Sequence, residues 1–249
     1  MTVDVIREQL KQLRLPVASN EVEAILHKRK SRTDIGWLSE LLELELDARK
    51  ENAIERRVKR ADFPERRSLE QFNWDFNKKL PRQELEEISN LKFVDNNEIA
   101  LFLGSPGTGK THIATAIGMK AAQVGHSVFC TSVKRLGTKL RKAKEKNSLD
   151  LLFKQILTTK LWILDDWGVV SMPRDVSEEI FDLFDRRKHH SAMILTSNRD
   201  VEEWPQVFSD PILAGAAIDR MFEHAKICIF EGPSYRMKGR IVFQEIDKD

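Results

Sequence analysis

The chain has 249 residues, of which 41% are hydrophobic and 32% charged, with a formal net charge of +2. This composition excludes a disordered or fibrous chain and supplies enough apolar mass for one α/β domain of ~150 to 200 residues with a smaller appendage. In so ionic a chain with so little net charge, any grip on a polyanion has to come from local clusters of cations.

Residues 1 to about 60 repeat apolar side chains at helical spacing: Ile6, Leu10 and Leu13, then Val22, Ile25 and Leu26, then Trp37, Leu41, Leu44 and Ala48. Pro16 and the 31–36 stretch divide the run into about three helices, with Asp34 the expected N-cap of the longest. Asp4 and Glu8 stand where a secretion signal needs a basic start and an apolar core. No apolar run approaches the ~20 residues of a membrane span, so a soluble, cytoplasmic protein with no membrane partner is expected. Residues 63–95 carry Pro64, Pro81 and the aromatics Phe63, Phe72, Trp74 and Phe76, which suits a linker packed on the domain that follows. The expected division is 1–62 helical, 63–95 linker and 96–249 core.

From residue 98 short β-type runs alternate with helical ones, the pattern of a parallel sheet with crossover helices. Strands are predicted from Ile99 to Leu103, Ser127 to Thr131, Leu161 to Leu164, Ala192 to Thr196 and Ile227 to Phe230. Helices are predicted from about Lys110 to Val124, near Val176 to His189, and from Pro211 to Glu223. The fold class is therefore α/β: a three-layer core on a five-stranded parallel sheet, preceded by a small all-helical domain. Cys130 and Cys228 lie far apart in strands and outside any CxxC or Cys/His cluster, so they read as apolar strand residues and neither a disulfide nor a zinc site is expected.

Between the first strand and the first core helix lies Gly104-Ser105-Pro106-Gly107-Thr108-Gly109-Lys110-Thr111, followed by His112. It fits G-x-x-x-x-G-K-[ST] in the strand-to-helix context that mechanism requires. Glycines let successive N–H groups turn inward, the helix N-terminus adds partial positive charge, and Lys110 brings a full charge to the β/γ-phosphates. Residues 104–112 are the expected ATP contacts, with Thr111 a Mg²⁺ ligand through its hydroxyl.

Leu161-Trp162-Ile163-Leu164-Asp165-Asp166 is a buried-strand pattern ending in two carboxylates. Strands of open α/β sheets deliver ligands at their carboxyl ends, so the pair emerges beside the phosphate loop. Asp165 is the expected Mg²⁺ partner, and Asp166 the group to orient and deprotonate the attacking water. Two aspartates after a strand alone would equally be a turn; downstream of a P-loop they read as the Walker B element. Asn198, at the end of the fourth strand, is either a turn residue or a group that positions the water or senses the γ-phosphate.

After the second strand comes the most one-sided segment of the chain, with Lys134, Arg135, Lys139, Arg141, Lys142, Lys144 and Lys146 against the single acid Glu145. On a helix, Leu136, Leu140 and Ala143 would face the domain and the cations would face outward. That stripe is either a solvated face or a surface for duplex DNA. Two further basic clusters, 27–32 and 56–60, lie among many acids. No recognition helix can be isolated, so DNA contact would be to the backbone, with little sequence preference.

The order of P-loop, Walker B, Asn198 and a later Asp219-Arg220 resembles the AAA+ ATPases. More narrowly the chain is similar to the IstB group, ATPase helpers of transposases in bacterial insertion sequences, and to the related DnaC helicase loader. The features that carry this are the helical N-terminus, Arg60-Ala61-Asp62-Phe63-Pro64 to Phe72, the Asp165-Asp166-Trp167-Gly168 wording, and Glu231-Gly232-Pro233-Ser234-Tyr235-Arg236. The resemblance implies that Asn198 is sensor 1 and Arg220 an arginine finger, which the residues alone would equally read as an intrahelical pair with Glu223. It also implies ATP hydrolysis, a homo-oligomer with shared sites, DNA on the basic helix, and a transposase partner, or a replicative helicase in the loader alternative. Asp166 departs from the glutamate usual in AAA+ proteins. Residues 231–249 are too few for the usual helical lid, which leaves Arg236 or a neighbouring subunit as the source of any second sensor. Two readings of another kind remain: a small-molecule P-loop kinase, and a DNA scaffold that binds ATP without hydrolysing it.

Overall fold

The computed structural model describes residues 3–28, 36–187, 190–208 and 210–238. The chain forms two units, Met1–Arg56 and Arg57–Asp249. In the first, α1 (Val3–Gln12) and α2 (Pro16–His27) are followed by α3 (Gly36–Ala61), which runs on into the second. Leu10, Ala18, Val22, Ile25 and Leu41 form its core. Leu13 and Leu44, expected on the apolar stripe, are exposed instead. The inward position on α3 is taken by Glu45, which is 3% exposed. Its Oε2 accepts the N–H groups of Val17 and Ala18 at 2.9 and 3.3 Å, capping the N-terminus of α2, where Pro16 supplies no donor. Burial opposes the Glu45 charge, but the Arg49 hydrogen bond and the two amides outweigh it and hold the carboxyl below its ordinary range. Asp34 and residues 29–32 of the first small basic cluster lie outside the described residues.

The second unit is built on five parallel strands in the order β2-β3-β4-β1-β5: β1 (Ile99–Gly104), β2 (Val128–Ser132), β3 (Leu161–Trp167), β4 (Ala192–Ser197) and β5 (Ala225–Phe230). The central strands are buried on both faces, as their unbroken apolar runs require. Side chains alternate across the sheet. Leu101, Leu103, Trp162, Leu164, Met193 and Leu195 join one core with α7 (Val133–Glu145), α8 (Leu149–Leu157), α9 (Arg174–Arg187) and α10 (Pro211–Phe222). On the other face α6 (Lys110–Val124) packs so closely that a Cβ at Gly118 would collide with Ile163. The short helices α4 (Arg82–Ser89) and α5 (Lys92–Asp95) precede β1. This is the expected three-layer α/β core.

Helix α9 begins two residues before its predicted start, and the predicted end at His189 lies outside the described residues. Strand β3 continues three residues past its predicted end, for a reason that shapes the site. Beyond β5 the described residues contain one short turn, Tyr235–Met237, and no helical lid. No helix among the described residues is long and apolar enough to cross a membrane.

Candidate active site

Strand β1 ends at Gly104 and α6 begins at Lys110, so the glycine-rich loop is held between a buried strand and a helix N-terminus. Gly109 has φ +106°, and a Cβ there would lie 2.5 Å from the Phe72 ring, so both backbone and space demand glycine. Among the described residues no acceptor takes the backbone N–H of Gly107, Gly109 or Lys110. Thr108 Oγ1 braces the loop by donating to Ser105 O at 2.8 Å. Lys110 is 5% exposed, and its Nζ donates to the Gly104 and Ser105 carbonyls at 2.6 and 2.7 Å. Burial pulls its ammonium down to about 8, although Asp166 and Asp165 pull the other way.

A bulge brings β3 to this loop. Leu164 pairs with Leu195 and Trp167 with Ser197, so three steps on β3 match two on β4. Asp166 takes the extra position with φ +60°. Trp167 returns to the core fully buried, with its carbonyl accepting from Ser197 Oγ at 2.9 Å. In a regular strand neighbouring side chains point to opposite faces; the bulge lets Asp165 and Asp166 both serve one site. Asp165 Oδ1 accepts from Thr111 Oγ1 at 2.8 Å and from Thr196 Oγ1 at 2.5 Å. Thr196 Oγ1 in turn accepts the Asp166 N–H at 3.1 Å, tying the P-loop, β3 and β4 together. The Asp166 side chain reaches the cleft, where burial first, and the charge of Asp165 second, raise its affinity for a proton.

The cleft holds about 470 Å³ and is lined by Gly107 through His112 together with Asp166 and Asn198. Gly104, Ser105, Pro106 and Asp165 do not line it, although Gly104 and Ser105 accept from Lys110 and Asp165 accepts from Thr111. Its remaining wall comes from two segments whose sequence points only to packing and to family resemblance. From the linker, Phe72 meets the His112 ring edge-on at 5.2 Å, while His112 Nε2 lies 3.1 Å from Ser68 O. From beyond β5, the Tyr235 N–H donates to Gly107 O at 2.9 Å, and Tyr235 meets Phe76 edge-on at 4.9 Å. Asn77 Nδ2 closes the two segments by donating to Glu231 O at 2.7 Å. Arg236 stands on the same wall, near enough for its charge to act on both Lys110 and Asp166. Apart from the family resemblance, aromatic residues at irregular spacing are the only sequence sign of this wall. Thr196 has a clearer one, as the first of two polar residues that end an otherwise apolar buried strand.

Arg220 is not part of the cleft. It lines a second hollow of about 250 Å³ with Glu98 and Ile99, at the opposite end of β1 from the P-loop. Six residues of strand separate the two by roughly 17 Å, so Arg220 does not reach the P-loop of its own chain. Its guanidinium is taken by Asp185 of α9, a partner that spacing within α10 could not reveal.

The basic segment forms helix α7, with Ser132 as N-cap, and buries Leu136, Leu140 and Ala143 as its spacing suggested. Its cations lie on the outer face, but four of them meet carboxylates. Asp62 receives Arg135 at 2.7 Å and Lys139 at 3.0 Å, Asp175 lies 3.7 Å from Arg141, and Glu179 lies 2.7 Å from Lys144. Burial opposes the Asp62 charge, but hydrogen bonds from Lys139 and Arg135 hold the carboxyl below its usual range. Lys134, Lys142 and Lys146 are exposed and have no such partner among the described residues.

Both cysteines are buried, and burial pushes each thiol up to about 12, which leaves them unreactive strand residues. No cluster of three or more His, Cys, Asp or Glu among the described residues could hold a metal by itself. The Thr111 hydroxyl beside the Asp165 carboxylate fits Mg²⁺, which takes one or two protein oxygens together with phosphate and water.

A family model described as IstB-like ATP binding protein matches residues 8–242. Over 231 residues the chain is 35% identical to a Pseudomonas aeruginosa protein described as an ATP-binding protein of insertion sequence IS21, covering 92% of this chain and 87% of that one. AMPPCP-bound DnaA from Aquifex aeolicus matches with a TM-score of 0.55 and 22% identity, over 71% of this chain and 54% of that one, so this chain spans about half its length. The DnaC helicase loader matches with a TM-score of 0.54 and 19% identity, over 70% of this chain and 99% of that one. At these identities the two structures speak for the fold alone.

Proposed function

We propose, from the premise that this chain belongs to the IstB-like ATP-binding protein family, that it hydrolyses Mg-ATP in sites shared between copies assembled on duplex DNA, and so assists a transposase in selecting and entering its target. The observation that carries this reading is the chain of hydrogen bonds from Thr111 through Asp165 to Thr196, with Asp166 in the same cleft. It links the phosphate loop to the two strands whose ends carry the reactive groups.

A triphosphate entering the cleft meets the N–H groups of Gly107 through Lys110. Lys110 exchanges the carbonyls of Gly104 and Ser105 for β/γ-phosphate oxygens. Thr111 and Asp165 would hold Mg²⁺, which when bound would offset phosphate charge. Asp166 accepts a proton from the attacking water, a role its raised proton affinity suits, and Asn198 orients that water. Phe72, Phe76 and Tyr235 offer flat apolar surface for the base. Arg220, too distant from its own cleft, meets the γ-phosphate held by the adjoining copy. The exposed cations of α7 bind DNA phosphates, and hydrolysis releases the assembly. The transposase is proposed from the insertion-sequence naming of the relatives.

Mixing tests the shared site. Lys110→Ala and Arg220→Ala proteins should each be inactive in DNA-stimulated phosphate release, Arg220→Ala should still bind ATP, and the mixture should regain part of the wild-type rate. Undiminished turnover by Arg220→Ala alone removes the finger from the scheme.

A further inference from the structure

Arg220 lies in the last turn of α10, and three contacts hold it. Its Nε and Nη2 donate to Asp185 Oδ1 at 2.9 and 2.7 Å, and its Nη1 donates to Ala216 O at 3.1 Å. The guanidinium carbon sits 4.7 Å from the centroid of the Phe181 ring. Phe181 and Asp185 are four residues apart on α9, hence on one face of that helix. One face therefore presents both a flat ring and a carboxylate to the same guanidinium, which fixes the plane and the rotation of an otherwise flexible side chain.

A guanidinium carries five N–H groups. The three hydrogen bonds use one on each nitrogen. What remains is one N–H on Nη1 and one on Nη2, two donors of the kind that meet phosphate oxygens. The Arg220 side chain is 29% exposed, so it is neither sealed in nor free to wander. Hydrogen-bonded to Asp185 in this way, Arg220 can receive a phosphate without first breaking the ion pair.

We propose that Asp185 is a positioning residue for trans hydrolysis: it and Phe181 hold Arg220 with two donors ready for the γ-phosphate of an adjoining copy. The proposal rests on the reading of Arg220 as the residue that completes another copy's site. It assigns Asp185 a role opposite in sign to that of a competitor. A carboxylate that had to be displaced would slow the reaction, whereas one that orients the guanidinium speeds it. Misplacing a catalytic group by about 1 Å can cost on the order of 100-fold in rate.

The test measures DNA-stimulated phosphate release against ATP concentration for Asp185→Ala, Asp185→Asn, Asp185→Glu, Arg220→Ala and the Asp185→Ala/Arg220→Ala double variant. Thermal melting and ATP affinity are followed in parallel. Asp185→Ala should lower kcat by about 10- to 100-fold with KM and ATP affinity unchanged. Asp185→Asn, which keeps an oxygen acceptor and the side-chain volume, should lose less, and Asp185→Glu should recover part of the rate. The double variant should be no slower than Arg220→Ala alone. Unchanged or faster turnover in Asp185→Ala overturns the proposal, as does a double variant in which the two losses multiply. The Arg220→Ala arm stands apart: if that variant turns over normally, the finger reading itself falls and the role of Asp185 falls with it. If it is inactive while Asp185→Ala is normal, only the positioning role is lost.

Discussion

The nucleotide cleft and helix α7 are the two most conspicuous stretches of the sequence, and folding treats them differently. In the cleft, residues from the P-loop, β3 and β4 that are far apart in the chain converge on the Thr111, Asp165 and Thr196 hydroxyl and carboxylate groups. On α7, four of the seven candidate DNA-binding cations meet carboxylates of the protein itself, at Asp62, Asp175 and Glu179. A phosphate loop encodes its geometry, because the strand before it and the helix after it fix where each group points. A run of cations encodes only charge, and the acids that answer it come from elsewhere in the chain. Lys134 and Lys142 of α7, with Lys146 just past its end, are consequently the cations that the proposed DNA contact would use.

The comparison can be broken most forcefully at Asp166. Asp166→Asn keeps the size and the left-handed backbone position that asparagine tolerates, so ATP binding should persist while hydrolysis falls by about 10²- to 10⁴-fold. Single-turnover phosphate release reads this directly, and near-normal turnover would take the general base away from this residue. On the α7 side, the Lys134→Ala/Lys142→Ala/Lys146→Ala variant should make the slope of log affinity against log salt shallower by about 0.9 for each DNA phosphate that the protein no longer neutralises. Asp62→Asn should do the reverse, because it frees Arg135 and Lys139 for phosphate. Equal slopes in all three proteins would move the DNA-binding surface off α7.

A smaller effect concerns pH. In the free protein burial brings the Lys110 ammonium to about 8, and a bound triphosphate raises it again. ATP affinity is thus fully present below about pH 8. Above that, binding must take up a proton, and affinity falls by up to about tenfold per pH unit until the bound-state value is passed. Titration of ATP affinity between about pH 7 and pH 10 should show this decline in the wild type and not in Lys110→Arg, whose charge does not titrate there. A flat wild-type profile would mean that the ammonium is not the group that meets the phosphates.

What the sequence showed and what it withheld divide along the range of the interactions. Helix α6 from Lys110 to Val124, the five parallel strands and the inward face of α7 were all legible, because local spacing and burial decide them. The bulge that carries β3 through to Trp167 was not, since it depends on how β3 pairs with β4. Leu13 and Leu44 fit a helical stripe but lie exposed, while Glu45 is drawn inside by the uncapped amides of α2. The aromatic wall of the cleft comes from a linker and a segment beyond β5, more than 150 residues apart at Asn77 and Glu231. Arg220 was singled out by a motif, yet its partner Asp185 lies 35 residues away on another helix.

The claim beneath all of this is that Lys110 and the amides beside it grip a triphosphate. Equilibrium binding of a fluorescent ATP analogue to wild type and to Lys110→Ala tests it most directly, with thermal melting to show that both proteins are folded. Removing a charge-assisted hydrogen bond of this kind should weaken binding by about 10- to 100-fold. A folded Lys110→Ala protein that binds ATP as tightly as wild type would contradict the account.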